Sequence, residues 1–175
     1  MPDLFGPGVA GKLAIRNQSM QILDFIDQCI NDGNCYMVGG YTTIASGGTI
    51  DITMQTPDTT KWIHILYRGE LSSSATIDFY ENVTNVSGGS ALPMINKNRN
   101  SANASGAVVL INPTSTLGDR IDGFKYGSDG GLPGRILKMT LKQNTTYLWR
   151  IVSQAADNSF SFHGVWGEFV LENSE

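Results

Sequence analysis

The stretch KWIHILYRGELSSSATIDFYE, residues 61–81, decides the fold. In its first half Ile63, Ile65 and Tyr67 alternate with Trp62, His64 and Leu66, so both faces of an extended segment carry bulk, as in a strand with neighbours on either side. A run of serines then interrupts the pattern, and Ile77 and Phe79 alternate with Asp78 and Tyr80 in a second strand. Outward from this pair the same two-residue period recurs. Strands are predicted over residues 36–44, 48–54, 61–70, 75–81, 107–111, 135–141, 146–154 and 159–172. In the last of them Phe160, Phe162 and Val170 share one parity while Val165, Phe169 and Leu171 share the other, which predicts a bulge or bend near Gly164 and Gly167.

Composition agrees with this reading. The chain has 175 residues, enough for one domain with a real core. Charged residues make up 16%, under the ~25% of average globular proteins, and 20 glycines with many Ser, Thr and Asn supply turns rather than helix. One helix is predicted over residues 19–31, where Ile22, Leu23, Ile26, Cys29 and Ile30 share a face, with Ser19 as N-cap and Asp32-Gly33 as stop. Residues 1–11, MPDLFGPGVAG, are expected to form an extended arm bearing Leu4 and Phe5. The expected organisation is an arm and short amphipathic helix over 1–34 and a β-sandwich domain over 35–175. With irregular excursions at 82–106 and 112–134, the strands fit a mainly β, antiparallel sandwich of jelly-roll type, an open barrel being the competing fold.

Several chemistries are tested by the same residues and found wanting. Net charge is −4 with Lys and Arg scattered, so no direct nucleic-acid partner is expected. No run approaches the ~18 apolar residues of a spanning helix, and the first residues lack a signal-peptide pattern, so a soluble chain made in a cytoplasm, with no membrane partner, is expected. Cys29 and Cys35 are expected as buried free thiols; a disulfide, or a zinc site completed by His64 and His163, are the alternatives. Residues 6–11 match GxGxxG, but no strand precedes them, and no nucleotide cofactor is expected. Asp119, Asp122 and Asp129 could surround a hard cation, yet the spacing departs from a calcium loop and a solvated turn is favoured. His64 and His163 are the only imidazole bases, with no GxSxG elbow, and are expected in a core or interface rather than in catalysis. No enzyme, cofactor or resident metal is therefore expected. Asn17, Asn82, Asn85, Asn103 and Asn144 each begin an N-x-S/T triplet, which here marks Asn-rich loops. Trp62, Trp149 and Trp166 could line a sugar-binding face but are expected in a core or interface.

Four elements then follow in order: DFYE at 78–81, a loop with Gly and Leu-x-Pro at 88–93, NKNRNS at 96–101, and LKQNTTYLWRI at 141–151. Together they resemble a family of small proteins encoded near the major capsid gene of tailed bacteriophages. The resemblance covers roughly residue 36 onward. It departs at Met94 and Ile95, where that family usually carries an aromatic or short polar residue. It implies a virion structural protein on the capsid surface that binds the major capsid protein and stabilises the head, multimeric on the shell. Aromatic residues on both parities of several strands, together with the three-fold positions of capsids, favour a homotrimer. Leu4, Phe5, Asn96, Asn98, Arg99 and Asn100 are the candidate capsid or subunit contacts, although the Asn and Arg side chains could equally fix their own loop. The Gly-rich loop 123–134 is expected either to stay mobile or to order against another subunit. The alternative function is a receptor- or carbohydrate-binding head of a phage fibre.

Overall fold

The computed structural model describes residues 14–16, 19–21, 25–127 and 136–170. Strands β1 (Ala14–Arg16) and β2 (Ser19–Gln21) pair antiparallel ahead of helix α1 (Phe25–Asn31). Four long strands follow: β3 (Cys35–Ile44), β4 (Thr49–Gln55), β5 (Lys61–Leu71) and β6 (Ala75–Glu81). Short strands come next, β7 (Thr84–Ser87), β8 (Ser90–Ala91), β9 (Ile95–Asn96), β10 (Val108–Ile111) and β11 (Thr114–Thr116). The chain ends its described course with β12 (Asp119–Tyr126), β13 (Ile136–Leu141), β14 (Thr146–Ser153) and β15 (Asn158–Val170).

The fold is an antiparallel β-sandwich. One sheet runs β12-β6-β14-β4-β10-β8 and the other β13-β5-β15-β3-β9. From β3 to β6, and again from β12 to β15, each long strand belongs to the opposite sheet from the one before it, a winding of the jelly-roll kind. The two sheets are separate, unlike a single closing barrel, and their inner faces share one core. Across it the Tyr67 ring of β5 stacks on Trp149 of β14 at 4.7 Å, and Trp149 stacks in turn on Phe79 of β6 at 4.7 Å. Tyr36, Tyr147, Phe160, Phe162 and Trp166 are buried with them. Each such ring stabilises the fold by about 1.5–3 kcal/mol through burial, and truncating Trp149 to Ala would cost about 3–5 kcal/mol.

Every predicted strand is present, with ends shifted by a residue or two; residues 135 and 171–172 of the predicted strands lie outside the described part. Other expectations are corrected. The helix begins at Phe25, not Ser19, because Ser19–Gln21 satisfies its backbone by pairing with Ala14–Arg16 and so cannot cap a helix. Its predicted stop holds: Asn34 N donates to Cys29 O at 3.1 Å, and Gly33 adopts φ +71°, which suits glycine. The excursions are not irregular throughout, since five short or edge strands occupy them, including the eight-residue β12 on the edge beside β6. No bulge interrupts β15, whose register with β5 is continuous from Phe160 to Val170. Even-numbered residues from Phe160 to Glu168 face the core; Val165 and Phe169 lie on the other face, where helix α1 covers the sheet and a Cβ at Gly167 would meet Cys29 Sγ at 2.7 Å.

The aromatic surplus inferred from the sequence is largely absorbed by this core. Tyr41, Ile95, Val108, Leu117, Ile121 and Val170 are the large apolar side chains exposed among the described residues. Asparagines do turn work: Asn82, Asn85, Asn112 and Asn144 all take positive φ, a region that Asn tolerates better than other side-chain-bearing residues.

Candidate functional site

The predicted contact loop closes one end of the sandwich, against the turn that joins α1 to β3. Asn96, buried at the end of β9, donates Nδ2 to Gly33 O at 2.8 Å and to Asn103 O at 3.0 Å, and its Oδ1 accepts from Asn98 N at 2.9 Å. Asn98 repeats the pattern one step on: its Oδ1 accepts from Asn100 N at 3.1 Å while Nδ2 donates to Asn31 O at 3.2 Å. Ser101 Oγ then accepts from Asn103 N at 3.2 Å. Short polar side chains thus bond the backbone two residues ahead in succession, a local geometry for which Asn and Ser are suited. Tyr36 OH donates to Ala104 O at 3.1 Å, and Lys97 N to Cys35 O at 2.8 Å, so the loop is tied to β3 as well.

This geometry divides the predicted contacts. Asn96 and Asn98 spend their amides on the loop and on the α1–β3 turn, whereas Arg99 and Asn100 are exposed at the tip, where among the described residues Arg99 reaches only Asn96 O, at 3.5 Å. Ile95, 39% exposed, stands beside them. Leu4 and Phe5 lie outside the described residues, as do the 6–11 glycine motif and residues 128–134 of the Gly-rich loop. Gly123–Tyr126, the start of that loop as predicted, belong instead to strand β12.

Below the loop a carboxylate is enclosed. Glu168 of β15 is buried and accepts from Ser105 Oγ at 2.5 Å, Gly106 N at 3.1 Å and Trp166 Nε1 at 3.4 Å. It fastens residues 105–106 to the last strand. Cys29 and Cys35 are buried free thiols that hydrogen-bond each other; that bond and burial hold the Cys29 thiol well above its ordinary value. His64 and His163 are not in the core. Both lie on the outer face of the five-stranded sheet, His64 Nε2 within 2.7 Å of Thr140 Oγ1 and its ring edge-on to Phe169. Asp119 and Asp122 belong to β12 rather than to a turn. Asp119 accepts from Asn82 Nδ2 at 2.9 Å, Asp122 from Gly123 N at 2.8 Å, and Asp129 is outside the described residues. Among the described residues no three His, Cys, Asp or Glu side chains converge as metal ligands. Trp149 and Trp166 are buried and Trp62 half-buried, so the indoles make no exposed sugar platform.

The outer face of the six-stranded sheet carries a row of charges that sequence reading passed over. Arg150 stands opposite Asp51 on one side and Asp78 on the other, and donates Nε and Nη2 to the two Asp51 oxygens at 2.8 and 2.6 Å. Arg120 of β12 reaches Asp78 Oδ1 from the far side at 2.7 Å. Alternating signs thus cross β12, β6, β14 and β4, an arrangement that stabilises strand pairing. The Asp51 carboxylate holds the Arg150 guanidinium above its usual pKa, against the opposing effect of burial. A second feature missed from sequence is Tyr41, 90% exposed on β3. Its odd parity, shared with Gly39 and Thr43, was the available signal. No helix among the described residues is long and apolar enough to cross a membrane. No family model, curated protein or solved structure matches the chain.

Proposed function

We propose that this protein is a non-enzymatic structural module of a bacteriophage virion that decorates the capsid by binding the major capsid protein. The observation that carries the reading is where the fold puts the residues of the phage-like motifs. DFYE lies in β6, and LKQNTTYLWRI runs from the end of β13 into β14. They meet: Glu81 takes Lys142 Nζ on one oxygen at 2.6 Å and Tyr147 OH on the other at 3.0 Å, while Tyr147 OH accepts from Lys142 N at 2.8 Å. NKNRNS closes the α1 end as described above. The motif residues therefore make a frame, as expected of proteins that share a shell-mounted scaffold and vary their contact tips.

On this reading Arg99 and Ile95 at the loop tip, with Leu4 and Phe5 of the arm, touch the shell, and the copies are trimeric. The test is co-sedimentation of the recombinant chain with purified expanded capsids that lack their decoration protein. Saturable binding that Arg99→Glu with Ile95→Asp weakens supports the reading. Failure of the folded chain to bind such capsids overturns it, and light scattering of bound and free protein checks the trimer.

A further inference from the structure

Beyond helix α1, the outer face of the five-stranded sheet carries the exposed residues Tyr41, Thr43, Glu70 and Ser159, and three of its strands build a trough there. Tyr41 of β3 stands opposite Ser161 of β15, which stands opposite Glu70 of β5. One row further, Thr43 stands opposite Ser159, whose carbonyl accepts from Ser72 N at 2.9 Å. The middle strand thus contributes small hydroxyl side chains between a tall aromatic ring and a carboxylate. These residues, with Thr42, Leu71 and Phe160 from the rows between, line a depression of 460 Å³. Its walls stand two strand spacings apart, roughly 10 Å.

The chemistry of the trough narrows what fits it. Among the described residues the Tyr41 ring makes no hydrogen bond or ring contact, and it is 90% exposed. Its neighbours on this face, Thr43, Ser161 and Glu70, are polar, unlike the apolar centre of a protein interface, although Leu71 and Phe160 enter the lining from the rows between. The Glu70 charge is paired, because Arg68 Nη2 lies 2.6 Å from Glu70 Oε1. What remains is a free ring face with hydroxyls and a carboxylate oxygen set around it. A pyranose is complementary to that set: its axial C–H face lies on a ring, and its equatorial hydroxyls donate to the carboxylate and exchange hydrogen bonds with serines.

We infer that this trough binds a neutral oligosaccharide, with one pyranose stacked on Tyr41 and its hydroxyls directed to Ser159, Ser161 and Glu70. The inference does not depend on capsid attachment, which uses the opposite tip of the reading above and is measured separately. The experiment is an amide NMR titration of the full chain with cellohexaose, maltohexaose and chitohexaose. At least one of them is expected to shift the resonances of residues 41, 70 and 159–161 at millimolar concentration. Tyr41→Ala is expected to weaken that binding about tenfold or more and Tyr41→Phe to leave it within about twofold, as loss or retention of a stacked ring dictates. Because Tyr41 is exposed, both variants should keep the wild-type unfolding midpoint, and Tyr41→Ala should still co-sediment with capsids. The inference is overturned if none of the sugars moves these resonances, or if Tyr41→Ala binds as tightly as wild type. It is also overturned if the same resonances shift with protein concentration alone, which would mark the face as a contact between copies.

Discussion

Replacing Arg150 by Met tests whether the row of charges across the six-stranded sheet holds its strands. Met keeps the aliphatic stem but deletes both bonds to Asp51, whose side chain is only 12% exposed against 28% for Arg150. Net contributions of bonds to charged groups run about 1.5–3 kcal/mol each, and the second counts for less where water still reaches the pair, so Arg150→Met should cost about 3 kcal/mol. Asp51→Asn leaves Arg150 its Asp78 neighbour and should cost about 1.5 kcal/mol, while the double variant strands no lone charge and should cost about 2.5 kcal/mol. The coupling is then about 2 kcal/mol. Urea unfolding with an unchanged slope measures all four proteins, and the Arg150→Met midpoint in a thermal scan should fall by about 6–12 °C. Moderate salt should leave the coupling nearly intact, since the pair is part-buried. Additive single costs, or an Arg150→Met penalty below about 1 kcal/mol, would refute the reasoning.

Other consequences can be measured on the same material. Burial pushes Tyr147 up to about 12 and raises Tyr67 and Tyr36 as well, so the folded state keeps protons that the unfolded chain loses from about pH 10; stability should fall as pH rises from 10 through 12, with these tyrosines titrating late at 295 nm. Asn96→Ala removes three hydrogen bonds from the loop and should cost about 2 kcal/mol in urea unfolding, whereas exposed Asn100→Ala should change stability by less than about 0.5 kcal/mol. Tyr67 OH and Trp149 Nε1 are buried with no hydrogen-bond partner among the described residues, so Tyr67→Phe should raise stability by up to about 1 kcal/mol; a loss of that size would contradict this. Cys29 and Cys35 should react with a bulky disulfide reagent only at the rate of opening, and both at once in denaturant.

What the sequence disclosed follows from the range of the interactions involved. Period-two alternation is local, and it located β3, β4, β5, β6, β10, β13, β14 and β15. Strand β12 escaped because Gly118, Asp119, Asp122 and Gly123 spell a turn locally; only its place on an edge beside β6 makes Asp-Arg-Ile-Asp-Gly extended. Ser19 looked like a cap because a window opened at Ser19 leaves out its competitor, the three residues Ala14–Arg16 just ahead of it with which Ser19–Gln21 pairs. The break in parity in β15 came from a helix lying on the outer face, a fact of tertiary packing. The contact loop was found by composition, yet its division into inward Asn96 and Asn98 and outward Arg99 and Asn100 depends on the carbonyls of Gly33 and Asn31, more than sixty residues away in the chain.

The place of β15 between β3 and β5 bears on how the protein is made. It pairs with β3 from Asn158 to Gly167 and with β5 from Phe160 to Val170, and β3 and β5 do not pair with each other. On the ribosome, both early strands therefore wait with a slot one strand wide between them until residues 158–170 have emerged. No other described strand occupies that slot, so the nascent product carries two unpaired strand edges until then. A neighbouring polypeptide on the same message, further along in translation, offers the identical insert, which makes strand exchange between growing chains the characteristic misassembly of this topology.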